Sequence, residues 1–152
     1  MGETMTDENE RDVDRLSRDH KELADTYHRV LLLIVDRQAD QAEELLDEFA
    51  ARLTRHIELE EKIWVPLFHQ RFGKSKGFDG TLILQEHKVI DKLLGALRFL
   101  LHTMAARGKP LDAQQVLTLL EESFRFRGVL HHHHAREDNV MIPALREIAP
   151  PG

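Results

Sequence analysis

The chain has 152 residues, no cysteine and a formal net charge of -6. That length fits one domain with a real core and excludes a second catalytic domain. Without thiols there are no disulfides, zinc ribbons, iron-sulfur clusters or thiol catalysis, so a metal would have to be held by His and carboxylate. The acidic balance, with no basic stripe carrying interleaved aromatics, argues against nucleic acid as a partner.

Residues 1–10 are acidic and polar and are expected to fray. The opening Met1-Gly2-Glu3-Thr4-Met5-Thr6 fits the N-myristoylation pattern, but acids follow where a second, basic membrane signal is needed. It also lacks the basic and apolar regions of a signal peptide, and no apolar run in the chain is long enough to span a bilayer. The expectation is a cytoplasmic protein with no membrane partner.

Apolar residues then recur at intervals of 3 and 4 in four long segments, with no sustained alternation of period 2. The first seam runs Val13, Leu16, His20, Leu23, Tyr27, Val30, Ile34 and breaks near Asp36–Asp40. The second runs Leu46, Phe49, Leu53, His56, Glu60, Ile63, Leu67 and ends at the Gly-rich stretch 73–80. The third is Ile83, His87, Ile90, Leu94, Leu97, Leu101, Met104, closed by Arg107-Gly108-Lys109-Pro110, with Asp112 placed to cap the next helix. The fourth is Phe126, Leu130, His133, Glu137, Val140, Ala144. Four amphipathic helices with short first and third connections predict an all-α, up-down-up-down antiparallel four-helix bundle.

Two of these segments fall into register: His56-Ile-Glu-Leu-Glu-Glu-Lys-Ile-Trp-Val-Pro66 and His133-His-Ala-Arg-Glu-Asp-Asn-Val-Met-Ile-Pro143. Each has a His, a Glu four residues on, a further acid, and a Pro ten residues from the His. Positions i and i+4 share one helix face, so each copy aims an imidazole and a carboxylate at one point. The matched prolines imply a pseudo-twofold relation between helices two and four, and each should end or kink its helix.

His20, His56, Glu60, His87, His133 and Glu137 thus occupy seam positions that Leu or Ile would ordinarily fill. At ~1.5 Å per residue, His20 and His56 lie roughly 26 Å and 22 Å from the first turn, and His87 and His133 about 30 Å and 33 Å from the third, so one layer accommodates all six. Two unpartnered carboxylates in a core would demand protons, cations or a metal. Nitrogen and oxygen donors on facing helices of a bundle are the pattern of carboxylate-bridged dinuclear sites, with positions left for an oxo or hydroxo bridge and an exogenous ligand. Manganese and zinc accept similar donors.

Among the neighbours, Glu61 and Asp138 are placed either to ligate or to accept an imidazole N–H. Asp91, four residues after His87, has the best claim of the remaining acids to approach the metals, and His134 is placed to flank the site. His131 and His132 should face solvent or a neighbouring helix, and His28, His69 and His102 the surface. Tyr27 should pack with Phe49 and Phe126 in an adjacent layer.

On His20 in Asp-His-Lys-Glu-Leu, His56 with Glu60, His87 in Gln-Glu-His-Lys, and His133 with Glu137, the chain resembles the hemerythrin-like, or HHE cation-binding, family over residues 11–149. The resemblance implies a non-haem centre of two iron ions bridged by two carboxylates. It leaves activity open between redox chemistry on peroxide or nitric oxide and a sensor, carrier or iron reservoir without turnover, and it assigns no catalytic side chain. Oxygen-carrying members have a fifth His where this chain has Asp91, which speaks against reversible O₂ transport and for redox chemistry on a small diatomic or peroxide ligand. No protein partner is specified, and a monomer or weak homodimer is expected.

Overall fold

The protein, described here as a computed structural model, is defined over residues 12–148, so the expectations for residues 1–10 lie outside the described residues. Helix α1 spans Asp14–Val35. Helix α2 begins as Ala39–Leu59, passes through a π-helical turn at Glu60–Trp64 and continues as Val65–Phe72. Helix α3 spans Gly80–Ala105, and α4 runs as Ala113–Arg136, a second π turn at Glu137–Met141, and Ile142–Ile148. α1 packs on α2, α2 on α3, α3 on α4, and α4 closes back on α1. The result is an all-helical four-helix bundle, with no strand among the described residues.

The local sequence accounts for the helix starts. Asp79 accepts the Thr81 N–H at the head of α3. Asp112 accepts the Gln115 N–H while the Gln115 side chain accepts the Asp112 N–H, so α4 opens with a complete capping box. Gly80 lets α3 start close against α2, because a Cβ there would lie 3.0 Å from Val65 and His69 side-chain carbons.

Of the end or kink expected at each proline, the end does not occur. Helices α2 and α4 do not stop at Pro66 and Pro143; each widens into a π turn just before its proline. The Val65 N–H bonds to the Glu60 carbonyl and the Ile142 N–H to the Glu137 carbonyl. Each proline then falls in the first turn of the α segment that follows, where no backbone donor is required.

Two apolar clusters fill the bundle. One runs from Leu23 through Tyr27, Phe49, Leu53, Ile57, Ile90 and Phe126 to Leu130. The other gathers Val13, Leu16, Trp64, Phe68, Ile83, Met141 and Leu145. In the first, the rings of Tyr27, Phe49 and Phe126 stand 5.1 to 6.0 Å apart, as expected, and the Tyr27 hydroxyl donates to the Ser123 carbonyl at 2.9 Å. Burial pushes the Tyr27 phenol up to about 12 despite that bond. Along every helix the residues between the two clusters are the polar ones: His20 lies between Leu16 and Leu23, and His87 between Ile83 and Ile90.

Candidate metal centre

The polar layer is as buried as the apolar clusters on either side. Glu60 and Glu137 are 0% exposed, and His20, His56, His87 and His133 are 5% or less. Glu60 Oε1 lies 2.8 Å from His56 Nε2 and 3.8 Å from His87 Nε2. Glu137 Oε1 lies 2.9 Å from His20 Nε2, and its Oε2 lies 3.1 Å from His133 Nε2 and 3.8 Å from His87 Nε2. Each carboxylate therefore straddles both helix pairs, and His20 Nε2 and His56 Nε2 meet at 3.1 Å.

On the opposite ring nitrogen, each of these imidazoles faces an acid. Nδ1 of His20 is 2.8 Å from Asp138, that of His56 3.2 Å from Asp19, that of His133 3.0 Å from Glu86, and that of His87 3.8 Å from Glu61. An N–H given to Asp138, Asp19 and Glu86 leaves Nε2 of His20, His56 and His133 as the lone-pair donor toward the centre, the tautomer a metal ligand needs, whereas Glu61 lies beyond hydrogen-bond distance of His87. Burial works against charge on Asp19, Glu86 and Asp138, but the imidazole each one faces outweighs it and holds all three below the usual carboxylate range.

The layer attracts positive charge. Burial disfavours the imidazolium of His56, yet Glu60 and Asp19 push the group up to about 10; burial likewise opposes charge on His133, which Glu137 and Glu86 push up to about 10. Burial and the neighbouring Glu137 raise Glu60 to about 7. Burial also opposes charge on Glu137, but Glu60 and the surrounding imidazoles hold it well below its ordinary value.

These groups converge at contact distance but without hydrogen-bond geometry. Both oxygens of Glu60 and of Glu137, both ring nitrogens of His87, and Nε2 of His133 and of His134 are buried with no hydrogen-bond partner. Burying such groups unpaired is costly, and a cation relieves the cost. Among the described residues, the donor atoms form two sets, each within 4.8 Å: His20, His56, His134 and Glu137, and Glu60, His87, His133 and Glu137. Trans donors at about 2.2 Å from one ion stand about 4.4 Å apart, so either set needs only a slight contraction to close on a metal. The residues fit one ion per set.

The family model described as the hemerythrin HHE cation binding domain matches residues 3–68 and 80–151. The chain belongs to this family. The unmatched stretch, residues 69–79, comprises the last turn of α2 and its connection to α3. No curated protein and no solved structure matches the chain.

In this hemerythrin-family chain, the flanking residues singled out from sequence divide. Asp138 is in contact with His20, and Glu61 stands off from His87 with its side chain 41% exposed. Asp91 is exposed and makes none of the contacts of the layer. His134 is buried and belongs to the first donor set, closer in than a flanking position. A helix in a bundle faces two neighbours: His133 continues one stripe, while Leu130, His134 and Asp138 form a second, at i+4 intervals. His131, His132, His28, His69 and His102 are exposed, as expected. Sequence reasoning missed Asp19 and Glu86. The available signal was their place, each just before a seam His and one step round the helix toward its neighbour.

No helix of the described residues is long and apolar enough to cross a membrane.

Proposed function

We propose that His20, His56, Glu60, His87, His133 and Glu137 hold two metal ions, iron in the first instance, and that the centre performs redox chemistry on peroxide or, next, nitric oxide. The observation that carries this reading is the pair of buried donor sets straddled by the two glutamates. Iron bound there would supply Lewis acidity and electrons. Asp138, Asp19 and Glu86 hold three of the imidazoles in the donor tautomer. The clusters of Leu23 to Leu130 and Val13 to Leu145 exclude water from above and below.

A groove of about 610 Å³ between α1 and α4 reaches this layer and is lined by Ser17, His20, Lys21, Tyr27, Arg127 and His134, among others. Lys21 and Arg127 outnumber the one carboxylate of the lining, Asp138, and favour a small anionic ligand. A second reading, reversible O₂ binding by a carrier or sensor, gains from the position of His134. Asp91 takes the place of a fifth imidazole on α3, but the His134 ring on α4 lies within reach of His20, His56 and Glu137.

Elemental analysis, an optical spectrum and a peroxide-consumption assay on one preparation test the proposal. Two iron ions per chain and iron-dependent loss of peroxide are expected. Full recovery of the reduced spectrum after exposure to O₂ and removal of the gas, with no peroxide consumed, would leave the carrier or sensor reading in its place.

A further inference from the structure

We infer that His134 is a fifth imidazole donor, on the His20 side of the centre, so that the two metal positions carry unlike ligand sets. The inference rests on the dinuclear reading and goes beyond it.

The layer has an internal symmetry. Asp19-His20 on α1 corresponds to Glu86-His87 on α3, and His56, Glu60 and Glu61 on α2 correspond to His133, Glu137 and Asp138 on α4. The contacts obey the relation: His20 faces Asp138 as His87 faces Glu61, and His56 faces Asp19 as His133 faces Glu86. Position 134 then corresponds to position 57. There the other half carries Ile57, a core residue 5% exposed. An aliphatic side chain fills that place, so packing alone does not call for an imidazole at 134.

His134 is nevertheless buried, at 8% exposure, with Nε2 unpartnered. Its ring stacks on His20 with centroids 3.8 Å apart and planes 13° from parallel, and it lies 5.9 Å from the ring of His56; because an imidazole donates in its own plane, sharing an ion with His20 requires the His134 ring to turn out of that stack. Its donor atom falls within 4.8 Å of those of His20, His56 and Glu137. A lone pair held there without a hydrogen-bond donor is what a ligand position requires. With His134 included, one ion takes His20, His56 and His134, whereas the other takes only His87 and His133. The second position has fewer side-chain donors, while the groove between α1 and α4 opens on the first.

The test loads the full chain with Co(II) and counts contact-shifted histidine rings by NMR, using ring-¹⁵N histidine. Two bound ions and five shifted rings are expected. In H134F, which keeps an aromatic ring against His20 but has no donor, four rings should remain. One of the two affinities should also fall at least about tenfold, while the other stays unchanged. Four shifted rings in the native chain, or two unchanged affinities in H134F, would overturn the inference and make His134 a wall of the groove, with the dinuclear reading intact. Fewer than two ions in the native chain would instead defeat the dinuclear reading, and this inference with it. Should H134F fail to fold, the ring count in the native chain decides alone.

Discussion

The half of the layer built on His20 and His56 and the half built on His87 and His133 come from matching stretches of sequence, yet they are unequal. Asp138 reaches His20 Nδ1 at 2.8 Å, where its counterpart Glu61 stops 3.8 Å short of His87. The cause lies one turn away: the Ser17 hydroxyl donates to Asp138 at 3.0 Å, and the equivalent position on α3 is Leu84, which offers no donor. Glu61 also carries one more methylene, while the two side chains are about equally exposed, 41% and 38%. His134 against Ile57 is the second inequality. A repeated i,i+4 motif thus fixes ligand spacing within each helix, while the residues that orient those ligands depend on what the adjoining helix presents.

The largest expected effect erases the comparison altogether. Glu60 and Glu137 each straddle both halves, so E60A or E137A should lose metal from both, read as metal per chain after gel filtration. Retention of one full equivalent in either variant would show that the halves are independent. Metal removal should also destabilise the fold. At a free-metal concentration of 100 Kd the stabilisation is about 2.7 kcal/mol per ion, about 5.4 kcal/mol for two. At roughly 2–4 °C per kcal/mol for a chain of this size, chelation should lower Tm by about 10–20 °C. An unchanged Tm would mean that the layer folds equally well around protons.

Next come the four consecutive histidines of α4. H133A should release metal, while H131A and H132A should leave it nearly unchanged, because those two side chains are exposed. Equal losses in all three would contradict the orientation of α4.

The inequality of the halves is sharpened by paired substitutions. D138N should weaken one metal by about 10- to 100-fold, since it removes the carboxylate that fixes the His20 tautomer. E61Q should change affinity by less than about threefold, given its distance from His87. Equal effects would make the two halves equivalent in solution.

The smallest effect is on acid stability. Asp138 is held below the usual carboxylate range, against its burial, by His20. Its contribution is therefore present above the ordinary value near about 4 and is lost as pH falls through the lowered one. In metal-free D138N, stability should fall less steeply over that window, measured by urea midpoints from about pH 5 down to 2. An unchanged slope would show that His20 and Asp138 do not interact as folded.

Much of this architecture is written in one-dimensional order. The spacing of Leu16, His20, Leu23 and Tyr27, or of Leu130, His133 and Glu137, declares a helix face because the backbone repeat alone decides which residues share it. Polar residues at seam positions declare that the face meets something other than hydrocarbon, and their order along four segments places them in one layer. The π turns were not legible: Pro66 and Pro143 announce a disturbed backbone, but only the packing of Trp64 and Met141 into the second cluster shows the helices carried onward. Asp19 and Glu86 were hidden, and His134 was legible only as a flanking group, for a related reason. Each sits one residue from a seam, and whether such a residue faces water or the adjacent helix depends on how two helices are rotated against each other. That rotation is set by the side chains of both, so sequence determined the donors each helix carries, and only the assembled bundle decided which acids orient them and that the two halves differ.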